Sequence, residues 1–267
     1  MNTGKKARLI ALDIDGTLID MYLGVPVHKK VRDAVREARE AGVKVCLCSA
    51  RPGYFMQDAT DGLDGVDALI GCSGATIEVE GEMIYKAAIP LPQLLACFET
   101  AMKHDIYMSF VGDEKILVRK KGLGPPPFDQ GSVFAIHEDG ELKEALKNGD
   151  FYCAFIFAKA GVKKEDVFGD PIFEEVTIHM ASHDSFNITN GGTDKGRAVL
   201  KLAELWGIDR EEILAVGNDE NDIPMFEIAG MSAAVANAGK KALEAADLVV
   251  PNVKRGGPAV AIRRFAL

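Results

Sequence analysis

Apolar and polar positions along this chain fall into blocks whose period changes twice. The first block, "RLIALDIDGTLID" (residues 8–20), opens with Leu9, Ile10, Ala11 and Leu12 in a continuous apolar run that predicts a buried strand. "VHKKVRDAVREAREAG" (27–42) then places Val31, Ala34, Val35 and Ala38 at helical spacing, with Gly42 as the stop. "VKVCLCSAR" predicts a second strand ending at Ser49, and "DALIGCSGA" a third that runs into a glycine-containing loop. Strand, helix and strand in alternation imply a parallel sheet with helices packed on it.

The pattern then shifts. "TIEVEGEMIY" predicts a hairpin turning at Glu80-Gly81, and "LPQLLACFETAMKHD" an amphipathic helix. "IYMSFV", "KILVRK", "FYCAFIF" and "FEEVTIHM" predict strands, and "DGELKEALKNG" a further helix. Three prolines in "GLGPPPFDQG" exclude regular structure there. This stretch, residues 84–186, is expected to form a separate, inserted α+β domain with antiparallel strands. Linkers are expected at residues 87–90 and 183–187. Alternation returns with a helix at "DKGRAVLKLAELWG", a strand at "EILAVG", a helix at "NDIPMFEIA", and strands at "SAAVA" and "DLVV" around a helix at "KKALEAA". The expected fold is therefore α/β: a doubly wound parallel sheet built from residues 1–83 and 187–267, interrupted by the insertion.

Composition narrows the function. The 267 residues are 48% hydrophobic and 27% charged, ordinary for a globular protein with a substantial core. A formal net charge of -9 argues against a general binder of nucleic acid or of an anionic membrane. An anionic substrate stays open, because a few local cations or a metal reverse the field in one pocket. The five cysteines form no disulfide framework, and no second Cys/His cluster joins Cys46 and Cys48, which share one face of their strand. A reducing, cytoplasmic location is expected, with no leader and no apolar run long enough to span a bilayer.

Polar residues punctuate the strand ends where open parallel sheets bind ligands. Asp13 and Asp15, at i and i+2, share a face at the end of the first strand, with Gly16 and Thr17 behind them. Ser49, followed by Ala50 and Arg51, ends the second. Asn218, Asp219, Asn221 and Asp222 follow "ILAVG", and Lys195 opens a helix after "NGGTD". Each is unremarkable alone: a turn, a helix cap, a solvated lysine. Their joint order resembles the four motifs of the haloacid dehalogenase superfamily, in its Cof-type branch with a type IIB cap: "DIDGT", Ser49 of "CSAR", Lys195 of "TDKG", and "GNDENDIPMF". "VANA" (235–238) and "ADLVVPN" (246–252) resemble the C-terminal segments of that branch.

The resemblance implies a Mg²⁺-dependent phosphatase of small phosphorylated metabolites, sugar phosphates among them. Asp13 would be the nucleophile, forming an aspartyl-phosphate. Asp15, starting protonated under nearby negative charge, would be the acid and then the base. Ser49 and Lys195 would hold the phosphoryl group, with Gly16, Thr17, Ala50, Arg51 and Asn221 lining its site. Asp13, the carbonyl of Asp15 and the acids of the fourth motif would bind Mg²⁺. The family usually has Gly-Asp at the start of that motif, whereas this chain has Asn218. Either Asn218 ligates as a neutral oxygen, or Asp222 or Asp219 supplies the charge. A phosphomutase or phosphotransferase on the same scaffold, and a non-catalytic phospho-ligand-binding protein, are the alternatives. A response-regulator receiver needs only about half this length. The insertion would set specificity and move over the site. Its contact residues, the physiological substrate and the oligomeric state are not encoded in any motif, and His137, His179 and His183 carry no assignment.

Overall fold

The computed structural model describes residues 5–20, 24–113, 115–119, 134–157, 164–182 and 185–267. They divide into two compact units, one from Met1–Tyr85 and Asp194–Leu267, the other Lys86–Thr193. The chain begins with β1 (Leu9–Asp13), α1 (Lys29–Glu40), β2 (Lys44–Cys48), α2 (Gln57–Gly62), β3 (Ala68–Gly71), β4 (Thr76–Val79) and β5 (Glu82–Lys86). The second unit follows with α3 (Leu91–His104), β6 (Tyr107–Val111), β7 (Ile116–Arg119), β8 (Phe134–His137), α4 (Asp139–Lys147), β9 (Cys153–Phe157), α5 (Lys164–Phe168), β10 (Val176–Ser182) and β11 (Ser185–Asn190). The first unit resumes with α6 (Lys195–Trp206), β12 (Ile213–Gly217), α7 (Ile223–Ile228), β13 (Met231–Val235), α8 (Lys240–Ala245), β14 (Leu248–Val250) and α9 (Pro258–Phe265).

The first unit is built on an eight-stranded sheet in the order β14-β13-β12-β1-β2-β3-β4-β5. Strands β14 through β3 are parallel, and β4 turns back against β3. Both faces of the central strands are covered, which is why β1, β2, β12 and β13 are buried along nearly their whole length, whereas the edge strand β5 is largely exposed. Ile10 and Leu12 pack with Val31, Ala34, Val35 and Ala38 of α1 and with α9, whereas Leu9 and Ala11 pack with Ala198, Val199 and Leu202 of α6. Helix α1 is capped by the His28 side chain, which accepts from Lys30 N, and the chain leaves it through Gly42 at φ +85°. Chain order reverses between β1 and β12, so the carboxyl ends of these neighbours flank a switch point. Cys46 and Cys48 do share a buried face, their sulfurs 3.8 Å apart, and burial pushes the Cys48 thiol well above its ordinary range.

The second unit carries a six-stranded sheet in the order β10-β11-β9-β6-β7-β8. Met108, Phe110, Ala154, Ile156, Phe186 and Ile188 form one face and pack against Leu94, Cys97 and Phe98 of α3 and Leu142 and Leu146 of α4. The expected antiparallel pairing needs correction at one edge, where β7 and β8 run parallel. The proline-rich segment 122–131 lies outside the described residues. A second correction concerns the expected linker at 183–187. Residues 183 and 184 are outside the described set, but Ser185–Asn190 is a strand paired with both β9 and β10. Phe186 and Ile188 enter the core while Asn187 and Thr189 occupy the opposite face, also buried. That polar half is what makes the segment read as linker.

Candidate active site

Asp13 ends β1 and is 5% exposed. Burial and the neighbouring Asp222 carboxylate push its pKa up to about 7, with Lys195 pulling the other way. Behind it the chain turns over Ile14–Thr17, where Thr17 N and Leu18 N both donate to Ile14 O. Gly16 has φ +83°, and a Cβ there would lie 2.5 Å from the outer end of the Asn218 side-chain amide, so conformation and space both require glycine.

Lys195 is the first residue of α6, 1% exposed, and donates to Asp13 Oδ1 (2.8 Å) and Asp222 Oδ1 (2.6 Å). Burial alone would lower its pKa, but the two carboxylates raise it overall and hold it protonated. Two glycines permit this approach. A Cβ on Gly196 would meet Pro224 O at 2.3 Å, and one on Gly217 would meet Asp222 Cγ at 2.5 Å. Asp222 is fully buried, and its Oδ2 accepts from Asn218 N (2.8 Å) and Asp219 N (3.1 Å). Both of its oxygens are thus engaged, one on Lys195 and one on the loop backbone. Asp219 turns to Glu220 N (2.7 Å), with its pKa raised by burial. Asn221 carries no side-chain hydrogen bond among the described residues.

The Asn218 amide stands beside the other oxygen of Asp13. One end of it lies 2.8 Å from Asp13 Oδ2, 3.0 Å from Asp15 O and 3.0 Å from Thr17 Oγ1. With the amide oxygen at that end, three hard oxygen donors (carboxylate, carbonyl and amide) converge. Octahedral Mg²⁺ with bonds near 2.05 Å sets adjacent ligands about 2.9 Å apart. The distances from the amide to Asp13 Oδ2 and to Asp15 O lie near that value, and a set of hard oxygen donors suits a magnesium ion.

On the neighbouring strand the register pairs Asp13 with Cys48, which puts Ser49 one step beyond at the same sheet end. Ser49 is 2% exposed, and its Oγ accepts from Arg51 N (3.1 Å) across Ala50. Arg51 reaches back to Asp15 with both prongs of its guanidinium, Nε to Oδ2 (2.8 Å) and Nη2 to Oδ1 (2.6 Å). Its Nη1 donates to Phe55 O and to Asp58 (3.0 and 3.2 Å). This corrects the expectation that nearby negative charge prepares Asp15 as an acid: both of its oxygens accept from a cation here.

The structure thus gathers Asp13, Gly16, Thr17, Lys195, Asn218 and Asp222 around one carboxylate, while Asp15 and Arg51 form an adjoining pair. Two residues escaped the sequence reading. Asp58 anchors the far side of Arg51, and nothing in its surroundings marks it. Asn237, within "VANA", donates to Gly16 O (2.7 Å) and accepts from Val253 N (3.0 Å), tying the turn behind Asp13 to the segment that follows β14. A segment match without a role was its only signal.

The chain is similar to known proteins over nearly its whole length. A model of the haloacid dehalogenase-like hydrolase family matches residues 10–262. The chain is 26% identical over 276 residues to a putative phosphatase, YxeH, of Bacillus subtilis, covering 97% of this chain and 98% of that one. It is 27% identical to the 5-amino-6-(5-phospho-D-ribitylamino)uracil phosphatase YwtE of the same organism (94% and 96% covered), and 25% identical to the pyridoxal phosphate phosphatase YbhA of Escherichia coli (91% and 93%). Among solved structures, the subclass IIB sugar phosphatase BT4131 superposes with a TM-score of 0.82 at 23% identity, over 97% of this chain and 99% of that one. Among the described residues no helix is long and apolar enough to cross a membrane.

Proposed function

The chain belongs to the haloacid dehalogenase-like hydrolases, and from that membership we propose that it is a Mg²⁺-dependent phosphatase of small phosphorylated metabolites, with sugar phosphates as the leading class. The relatives named as phosphatases of a ribitylamino-uracil phosphate and of pyridoxal phosphate support the substrate class. The observation that carries the mechanism is the buried Asp13, with Oδ1 on Lys195 and Oδ2 facing the Asn218 amide, which also reaches Asp15 O.

Asp13 attacks phosphorus, forming a carboxyl–phosphorus bond as the bond to the leaving oxygen breaks, and Asp15 gives that oxygen its proton. Asp15 then takes a proton from water as the water oxygen attacks phosphorus, releasing phosphate and restoring Asp13. Asp15 must leave the Arg51 fork to do either. Lys195 holds positive charge against the nucleophile, and the Ser49 hydroxyl donates to a phosphoryl oxygen. Asp13, Asp15 O and Asn218 would hold Mg²⁺, which when bound supplies charge neutralisation for the phosphoryl group. Asp222 acts through Lys195 and the loop backbone rather than as a ligand. The unit Lys86–Thr193 is assigned the part of a cap that selects the leaving group.

Asp13→Asn keeps shape and removes the nucleophile. In a screen of phosphorylated metabolites with Mg²⁺, the wild-type protein should release phosphate and the variant, folded by circular dichroism, should not. A variant rate above a few per cent of wild type would overturn the assignment.

A further inference from the structure

Asn218 occupies the position where a charged ligand is usual, and an amide differs from a carboxylate in having two unlike ends. With its nitrogen turned inward, it donates to Asp13 Oδ2 (2.8 Å), Asp15 O (3.0 Å) and Thr17 Oγ1 (3.0 Å). With its oxygen inward, that oxygen meets two acceptor oxygens at the same distances, and only the Thr17 hydroxyl offers a proton. The first arrangement sets two N–H donors among these three oxygens, one of which is a hydroxyl with its own proton to give, and so holds together without a cation. The second needs one. Asp222 cannot take over the role, because Lys195 and two backbone N–H groups occupy its oxygens, and Asp219 is turned to Glu220 N.

We propose that Asn218 is a built-in stand-in for the metal. In the metal-free protein its amide nitrogen faces inward and bridges Asp13, Asp15 O and Thr17. On magnesium binding the amide turns about its Cβ–Cγ bond and presents Oδ1 instead. This rests on the magnesium reading above and goes beyond it, because it makes the order of the empty site independent of metal. An aspartate in the same place would set a second carboxylate 2.8 Å from Asp13 Oδ2, in a pocket where charge is poorly screened. The chain therefore gives up metal affinity and gains a site that stays assembled when metal is scarce.

The test compares melting temperature and calorimetric Mg²⁺ binding for wild type, Asn218→Asp and Asn218→Ala. Metal-free Asn218→Asp should melt several degrees below wild type. Asn218→Ala, which loses the hydrogen bonds but adds no charge, should fall between them. Magnesium should raise the melting temperature of Asn218→Asp far more than that of wild type and bind it about tenfold more tightly. It should stabilise Asn218→Ala least. In labelled wild type, the Asn218 side-chain NH₂ signal should be protected from exchange without metal and lose protection with it. Equal metal-free stability of wild type and Asn218→Asp, with equal magnesium-induced rises, would overturn the stand-in while leaving the metal site in place. Absence of magnesium binding in both proteins would overturn the magnesium reading, and the stand-in with it.

Discussion

At the scale of single residues, the centre of this site is an ion triad: Lys195 buried between Asp13 and Asp222. Such groups are costly to bury and more costly to break, since removing one member leaves the others unpaired. Lys195→Met, similar in volume, strands two buried carboxylates and should lose about 3 to 5 kcal/mol in denaturant unfolding. A loss under about 1 kcal/mol would mean that the pair is solvated in solution. Asp222→Asn separates two roles that the sequence could not. The fourth motif marked Asp222 as a candidate ligand, yet its oxygens accept from Lys195, Asn218 N and Asp219 N. The variant should lower turnover by on the order of 10²-fold by displacing Lys195, while Mg²⁺ affinity by calorimetry stays near wild type. A collapse of magnesium binding would return Asp222 to the ligand set. Residue types at the site were readable because carboxylates and a lysine beside buried strands demand a reason. Which oxygen faces which partner was not, since that depends on the backbone course of the loop Asn218–Asp222 and on Gly217 and Gly196.

Elements were readable where their periodicity was undiluted. Strand β1 and helices α1 and α6 follow from apolar spacing, with Gly42 closing α1. Strand β11 was missed because only every second residue, Phe186 and Ile188, is apolar, and Asn187 and Thr189 resemble loop chemistry until both faces of the sheet are known to be covered. The turn between β4 and β5 shows the opposite case. Glu80-Gly81 was anticipated from Gly81, and both residues have positive φ (52° and 83°), as a two-residue type I′ turn requires. Glutamate bears the steric penalty of that conformation, whereas asparagine tolerates it. Glu80→Asn should stabilise the protein by about 0.5 to 1 kcal/mol, visible as a melting temperature about 2 °C higher. No increase would mean that the turn relaxes at no cost.

At the scale of the whole molecule, the sequence announced two units through the change of period, from helix–strand alternation to consecutive strands and back, but it misplaced the return crossing. The outgoing crossing, residues 87–90, has no regular structure, as expected. The return lies at residues 191–193, beyond β11, where Gly192 has φ +74°. Gly191 could not carry a Cβ, which would meet Glu175 O at 2.2 Å. A cap that excludes water during transfer must change its disposition through these two crossings alone, because every other backbone connection is internal to one unit. Orthovanadate with Mg²⁺, a mimic of the phosphoryl group in flight, should therefore alter amide hydrogen exchange in peptides spanning residues 87–90 and 191–193. Exchange inside β6 and β9, which lie within the second sheet, should remain as it was. Asp13→Ala, which lacks the carboxylate proposed as the nucleophile, should show no response to the same addition. Unchanged exchange at both crossings in the wild-type protein, with vanadate demonstrably bound, would mean that the second unit does not close over the site.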